Sequence, residues 1–396
     1  MTVEVATTRT GIPRLVVGLM SVATGVAVAS NYYIQPLLDS VAQALHTSSG
    51  SVGLVFTLAQ LGYAAGLIFF LPLGDLLERR RLVVVMTLAT ALGLGVMGFA
   101  GRLPVLMVAA VVVGLLSVVA QILVPFAAAL APPEARGKVV GTVMSGLLLG
   151  ILLARTLAGY LAEVGGWPTI YRVAAVVMLV LAALLHRYLP TSRAEVALGY
   201  PALLRSTLSL VREEPVLRLR AIYGALSFGM FSVLWNSIAL LLSDAPYHYG
   251  SGVIGLFGLV GAVGVLGANL AGRVADKGGA SRVTAVAVVT ATLVWLPIAF
   301  GRTSLVALIA GIILLDFAAQ SLHITNQSEI YRLRAAAGSR LNSAYMTARF
   351  LGGALGSGLS TVAYTQSGWT GVSVLGALFG LVITGIWGTR RLLGRD

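Results

Sequence analysis

The amino-acid sequence predicts an all-α membrane protein of twelve transmembrane helices in two pseudo-symmetric six-helix bundles. Three observations predict it. Of the 396 residues, 58% are apolar and only 10% are charged, where a soluble domain carries roughly 25% charged residues. Charge-free runs of about 18–25 residues recur along the chain, each long enough to cross a roughly 30 Å hydrocarbon core. The two halves of the chain also align on each other at an offset near 200 residues.

Read in order, the first half gives spans at 15–38, 51–74, 82–100, 104–130, 139–162 and 168–186. The second half gives 219–243, 251–272, 283–300, 304–328, 341–364 and 370–389. In lipid a spanning segment must satisfy its own backbone groups, so with this pattern each run is a helix. The segment after Arg14 is too long for a signal-peptide core and reads as a retained first span. Residues 186–220, "HRYLPTSRAEVALGYPALLRSTLSLVREEPVLRLR", form the most charged part of the chain and read as a cytoplasmic linker with a short surface helix. The domain division is 1–189, a linker at 190–217, and 218–396.

The net charge of +13 could suggest a nucleic-acid partner, but its distribution argues against one. With the amino terminus inside, 22 of the 27 lysines and arginines fall in cytoplasmic segments. That is the asymmetry that orients helical membrane proteins. It orients a multi-pass chain with both termini cytoplasmic, the inner membrane being the location expected, and it allows some affinity for anionic lipid. There is no cysteine, so redox chemistry does not reveal the compartment.

"RGKVVGTVMSGLLLGILLARTLAGYLAEVGGW", ending at Trp167, aligns without gaps on "GSRLNSAYMTARFLGGALGSGLSTVAYTQSGW", ending at Trp369, at an offset of 202. "LLSVVAQIL" (115–123) aligns on "LLDFAAQSL" (314–322) at 199, pairing Ser117 with Asp316 and Gln121 with Gln320. Asn31 and Asp39 match Asn236 and Asp244 at 205. A duplicated six-helix unit is common among transporters, with the solute site near mid-membrane where the repeats meet.

"LPLGDLLERRRL" (71–82) and "GRVADKGGASR" (272–282) follow the second and eighth spans. Both resemble the cytoplasmic-loop signature G-x-L-A-D-R-x-G-R-R of the major facilitator superfamily. The second copy supplies Gly272, Ala275, Asp276, Lys277 and Gly279; the first supplies Leu73, Asp75, Arg79 and Arg80, with Leu71 and Glu78 where glycines are usual. The fifth span keeps Gly146 and Gly150 of the drug/proton antiporter signature, with Ile151 replacing its proline and Ala154-Arg155 its paired glycines. "SNYYIQPLL" and "NSAYMTARFLGG" look similar to bacterial drug and sugar efflux permeases of the twelve-helix proton antiporter branch. The resemblance implies a gating latch at Asp75, Arg79, Arg80, Asp276 and Lys277. It also implies a central cavity lined by the first, fourth, seventh and tenth spans, so that Asn31, Gln35, Gln121, Asn236, Asp316, Gln320 and His323 face the solute.

Four ionisable side chains lie inside spans, Arg155, Asp316, His323 and Arg349, where charge is costly unless it faces a cavity or a partner. In "GIILLDFAAQSLHITNQSEIY" (311–331), Asp316, Gln320, His323 and Gln327 are spaced by four, three and four, which puts them on one helix face. The stripe reads as the border of a solute route, with Asp316 the proton-coupling carboxylate, His323 a relay, and Arg349 close enough to meet either. The alternative is a static Asp316–Arg349 pair joining the tenth and eleventh spans. Arg155 reads as a structural ion-pair partner of Asp39 or a tyrosine, or as an anion ligand. Tyr32, Tyr33 and Trp235 are candidates to stack on solute, whereas Tyr345 reads as an interface anchor.

The function expected is proton-coupled export of small amphiphilic organic molecules, drugs or metabolites, by a monomer without cofactor or metal. Import or exchange of organic anions is one alternative. An intramembrane enzyme is another, but the seven residues between Asp316 and His323 span roughly 10 Å, too far for a hydrogen-bonded dyad. No phosphate-binding G-x-x-x-x-G-K-[ST] loop is present, which speaks against nucleotide hydrolysis.

Overall fold

The computed structural model describes residues 13–132, 134–192, 199–334 and 337–393; the side chains of residues 269, 270 and 276 lie outside the description. Helices account for nearly all of it, and no strand occurs among the described residues. Among the described residues, ten helices are long and apolar enough to cross a membrane. One of them, Gly338–Leu392, is two spans that turn at Gly368 (φ 57°), a left-handed backbone conformation that glycine adopts without penalty. The shorter apolar helix Arg14–Ala29 opens span 1, which brings the total to twelve.

Span 1 continues from Arg14–Ala29 through a short 3-10 turn, Gln35–Leu37, into Leu38–Ala44. Pro36, with no N–H to donate, falls in that turn, and the loosened stretch from Ser30 to Gln35 is buried. Irregular backbone at membrane depth survives where protein surrounds it. Spans 2 to 6 are Ser49–Leu76, Arg79–Gly98, Leu103–Leu130, Arg136–Gly165 and Pro168–Tyr188. The linker helix is Tyr200–Glu213. Span 7, Pro215–Ser243, starts inside the stretch expected to be linker, because Pro215 suits a first helical turn. Spans 8 to 10 are Ser251–Val274, Lys277–Arg302 and Leu305–Tyr331; spans 11 and 12 are 338–367 and 369–392.

The internal repeat reappears as packing. A Cβ on Gly150 would sit 2.2 Å from the carbonyl oxygen of Gly25, so spans 1 and 5 cross backbone to backbone. In the other half a Cβ on Gly352 would sit 2.1 Å from the carbonyl oxygen of Ala225, and spans 7 and 11 cross the same way. Gly150 and Gly352 stand at the repeat offset of 202. Small residues allow this approach where lipid provides no hydrophobic drive between helices.

The halves meet along spans 2 and 11 and along spans 5 and 8. Thr57 and Ser357 share a 2.8 Å hydroxyl hydrogen bond, Tyr63 stacks on Phe350 at 4.1 Å, and Ser343 donates to the carbonyl of Leu67. Spans 5 and 8 touch through Thr156, which donates to the carbonyl of Gly255, and through Glu163, which accepts from the N–H of Gly252. Toward the other end of span 5, a Cβ on Gly137 or Gly141 would meet nothing within 4 Å. That end lies on the face carrying the chain ends.

Candidate functional site

A cavity of about 350 Å³ lies between the halves. Spans 1, 4, 7 and 10 contribute to its wall, and so do spans 5 and 11. Span 10 supplies the polar stripe: Asp316, Gln320, His323, Gln327 and Tyr331 all line it. Asp316 and Tyr331 are fifteen residues apart, so the cavity runs roughly 22 Å along span 10 at about 1.5 Å per residue, toward the chain-end face. Opposite that stripe, span 5 presents an apolar wall from Val140 to Leu152.

At the deep end Asp316 is 4% exposed, and its Oδ1 accepts a 3.0 Å hydrogen bond from the indole Nε1–H of Trp235. On the same indole lies the guanidinium of Arg155, 4.0 Å from the ring centroid and 5.1 Å from that of Tyr32. Such contacts are worth about 0.5–2 kcal/mol each, more where water is absent. Arg155 Nε donates to Gln35 Oε1 at 2.6 Å. Acid and base therefore belong to different halves, Asp316 to span 10 and Arg155 to span 5, with a tryptophan between them.

Further along, His323 Nδ1 and the Tyr345 hydroxyl share a 2.9 Å hydrogen bond, their rings nearly parallel. Arg349 lies over the face of Phe228 at 4.2 Å. No ion pair joins Arg349 to Asp316 among the described residues. The static clasp between spans 10 and 11 is thus absent, because Asp316 turns toward span 7. Arg155 does not reach Asp39 either, whose carboxylate takes a hydrogen bond from Gln43; the tyrosine it meets is Tyr32.

Of the residues expected to face solute, Tyr32, Gln121, Asp316, Gln320 and His323 line the cavity. Gln121 donates to Tyr63 at 3.4 Å. Trp235 and Gln35 stand behind the wall, holding Asp316 and Arg155. Asn31 donates to the carbonyl of Val28, and Tyr33 packs edge-on against Tyr171. Asn236 faces span 11, donating to Ser357, Ser360 and Thr361. Tyr345, expected at an interface, is fully buried beside His323.

In the loop after span 2, Asp75 and Arg79 form a 3.6 Å ion pair. Arg79 also donates to the carbonyl of Gly74, and Arg80 to that of His186. Glu78 closes the loop: its carboxylate caps span 3 through the N–H groups of Arg80 and Arg81 and accepts from Ser192 of the linker. Partial burial pushes this carboxyl up, but the three backbone N–H groups outweigh it and hold it below the usual 4.5. Lys277 opens span 9; the side chain of Asp276 lies outside the described residues.

Twelve spans, a pseudo-two-fold repeat and a cavity between the halves define a membrane transport protein. The Major Facilitator Superfamily model matches residues 20–357, and the chain belongs to that family as a multi-pass transporter. It is 53% identical over 375 residues to the uncharacterized transporter YgaY of Escherichia coli O157:H7, covering 95% of each chain. It is 36% identical to a Streptomyces coelicolor protein named "Probable transporter SCO4007", covering 92% of this chain and 85% of that one. In fold it superposes on the nucleoside transporter NupG with a TM-score of 0.74 at 14% identity, over 95% of this chain and 99% of that one.

Proposed function

We propose that the protein is a proton-coupled secondary active transporter that exports small amphiphilic organic compounds. It works as a monomer in the inner membrane with both termini cytoplasmic. Residues 1–189 and 215–396 rock as two bodies, joined by the linker at 190–214, and Asp75, Arg79, Arg80, Asp276 and Lys277 latch the cytoplasmic side. Asp316 is the coupling carboxylate and His323 passes protons along the cavity.

One observation carries this reading: Asp316 borders the cavity, while its charge partner Arg155 sits on the other half behind a shared indole. Protonating Asp316 removes the attraction between halves, so proton occupancy and the relative placement of the halves bias one another. The mostly apolar wall suits amphiphilic solutes, as small-molecule sites generally do. The test uses proteoliposomes loaded with a pH-sensitive dye and challenged with an amphiphile library under an imposed pH gradient. Wild type is expected to move protons when a substrate is added. Asp316→Asn should reconstitute at the same level and move none; proton movement at the wild-type rate by that variant overturns the assignment.

A further inference from the structure

Two arginines stand in or behind the cavity wall, and their situations differ. Arg155 lacks a carboxylate within 4.0 Å among the described residues and its Nη2 is buried without a hydrogen-bond partner, but its Nε meets Gln35 and the indole under its plane holds Asp316 at its N–H. Arg349 lines the cavity, is 9% exposed, and has no carboxylate within 4.0 Å among the described residues. Its Nε is buried without a hydrogen-bond partner. Its guanidinium lies over the face of Phe228. Asp316 and Arg155 carry opposite charges on one tryptophan, so the sum over Arg155, Arg349 and Asp316 is one positive charge, and Arg349, with no acid on the ring it covers, carries it.

A buried guanidinium that lacks a counter-charge is strongly unfavourable, and a planar anion that fits its fork relieves it. The groups around Arg349 match an anion with a hydrophobic body. Tyr63 accepts from Gln121, which leaves its own hydroxyl hydrogen for an acceptor in the cavity. Tyr63, Phe350 and Phe228 form a continuous aromatic wall, with ring centroids 4.1 Å and 5.2 Å apart. The opposite wall, on span 5, carries no charge between Val140 and Leu152.

We propose that Arg349 is the anchor for the transported solute, and that the solute is an amphiphilic monocarboxylate with an aromatic or bulky apolar body. The carboxylate sits on the guanidinium fork with the Tyr63 hydroxyl beside it, and the body lies between Phe350 and span 5. The proposal rests on the cavity being the transport site. A monoanion leaving a cell whose interior is negative also moves down the membrane potential, which favours export.

The test reads the thermal shift of purified full-length protein with three probes of one shape: 2-naphthoate, 2-naphthamide and 2-naphthylmethylamine. Naphthoate is expected to raise Tm, and the amide and the amine to do so far less, since a ligand stabilises the state it binds. Arg349→Lys keeps the charge but loses the fork and should weaken naphthoate by about tenfold or more. Arg349→Gln should abolish the shift. Equal shifts from all three probes, no shift with naphthoate, or undiminished naphthoate binding by Arg349→Gln would each overturn the proposal. The comparison of probes on wild type stands even where a variant fails to fold. The proton assay separates this inference from the coupling reading: normal proton movement by Asp316→Asn overturns the coupling reading and leaves the comparison of the three probes on wild type as it stands. Retained proton coupling together with a preference for the amine would sink the anion site alone.

Discussion

At Trp235 a single side chain serves both halves of the molecule. Its N–H holds the Asp316 carboxylate and its π-face carries the Arg155 guanidinium. Replacing it separates the two roles. Trp235→Phe keeps an aromatic face but leaves a buried carboxylate oxygen short of a donor, at a cost of about 1–3 kcal/mol. Trp235→Leu loses the π-face as well, adding about 0.5–2 kcal/mol. Thermal unfolding in detergent is expected to rank wild type above Trp235→Phe and Trp235→Phe above Trp235→Leu; equal losses would mean that the ring contact contributes nothing. The stripe on span 10 was legible in the sequence because four-three-four spacing is a local property of one helix. The partner of Asp316 was not: Trp235 is 81 residues away and Arg155 lies in the other half. The neighbouring eleventh span offered Arg349 instead, but adjacency says nothing about the direction in which a side chain turns about its helix axis.

At the scale of the helix, the glycines of spans 5 and 11 decide how each half closes. Alanine is the better helix former by about 1 kcal/mol, so Gly→Ala in open space should be neutral or mildly stabilising. Gly385 is such a place, with nothing within 4 Å of a Cβ. Gly150 and Gly352 are the opposite: a Cβ on each would sit 2.2 Å and 2.1 Å, respectively, from a backbone carbonyl oxygen. Overpacking of this kind costs typically about 1–3 kcal/mol. Gly150→Ala and Gly352→Ala should therefore lower Tm and the monodisperse yield to a similar degree, while Gly385→Ala does neither. A stabilised Gly150→Ala protein would refute the backbone-to-backbone crossing. The gapless alignment at 202 already paired these two glycines, so the repeat was readable as sequence before it was visible as packing. What alignment could not supply was the break after Ala29, where Pro36 and the buried polar stretch beside it interrupt a run that hydropathy alone reads as one span.

For the whole molecule, the chain's lack of cysteine opens a direct test of the rocking motion. Spans 2 and 11 join the halves, and Thr57 and Ser357 meet there with hydroxyl oxygens 2.8 Å apart, toward the face opposite the chain ends. That side-chain contact makes the two positions the place to introduce a disulfide between the halves. Alternating access requires these two spans to part on that face when the cavity opens there, so a covalent link holds one state. The double variant Thr57→Cys/Ser357→Cys should fold and bind naphthoate like the parent, because its cavity stays open toward the chain-end face. Once oxidised it should catalyse no proton movement in proteoliposomes, and reduction should restore it. Each single variant, unable to cross-link, should respond to oxidant no differently from wild type. Full transport by the oxidised double variant, with the bond verified by mass spectrometry, would show that spans 2 and 11 stay together throughout the cycle. The halves would then have to move about spans 5 and 8 alone, where the contacts of Thr156 and Glu163 would be the ones to break.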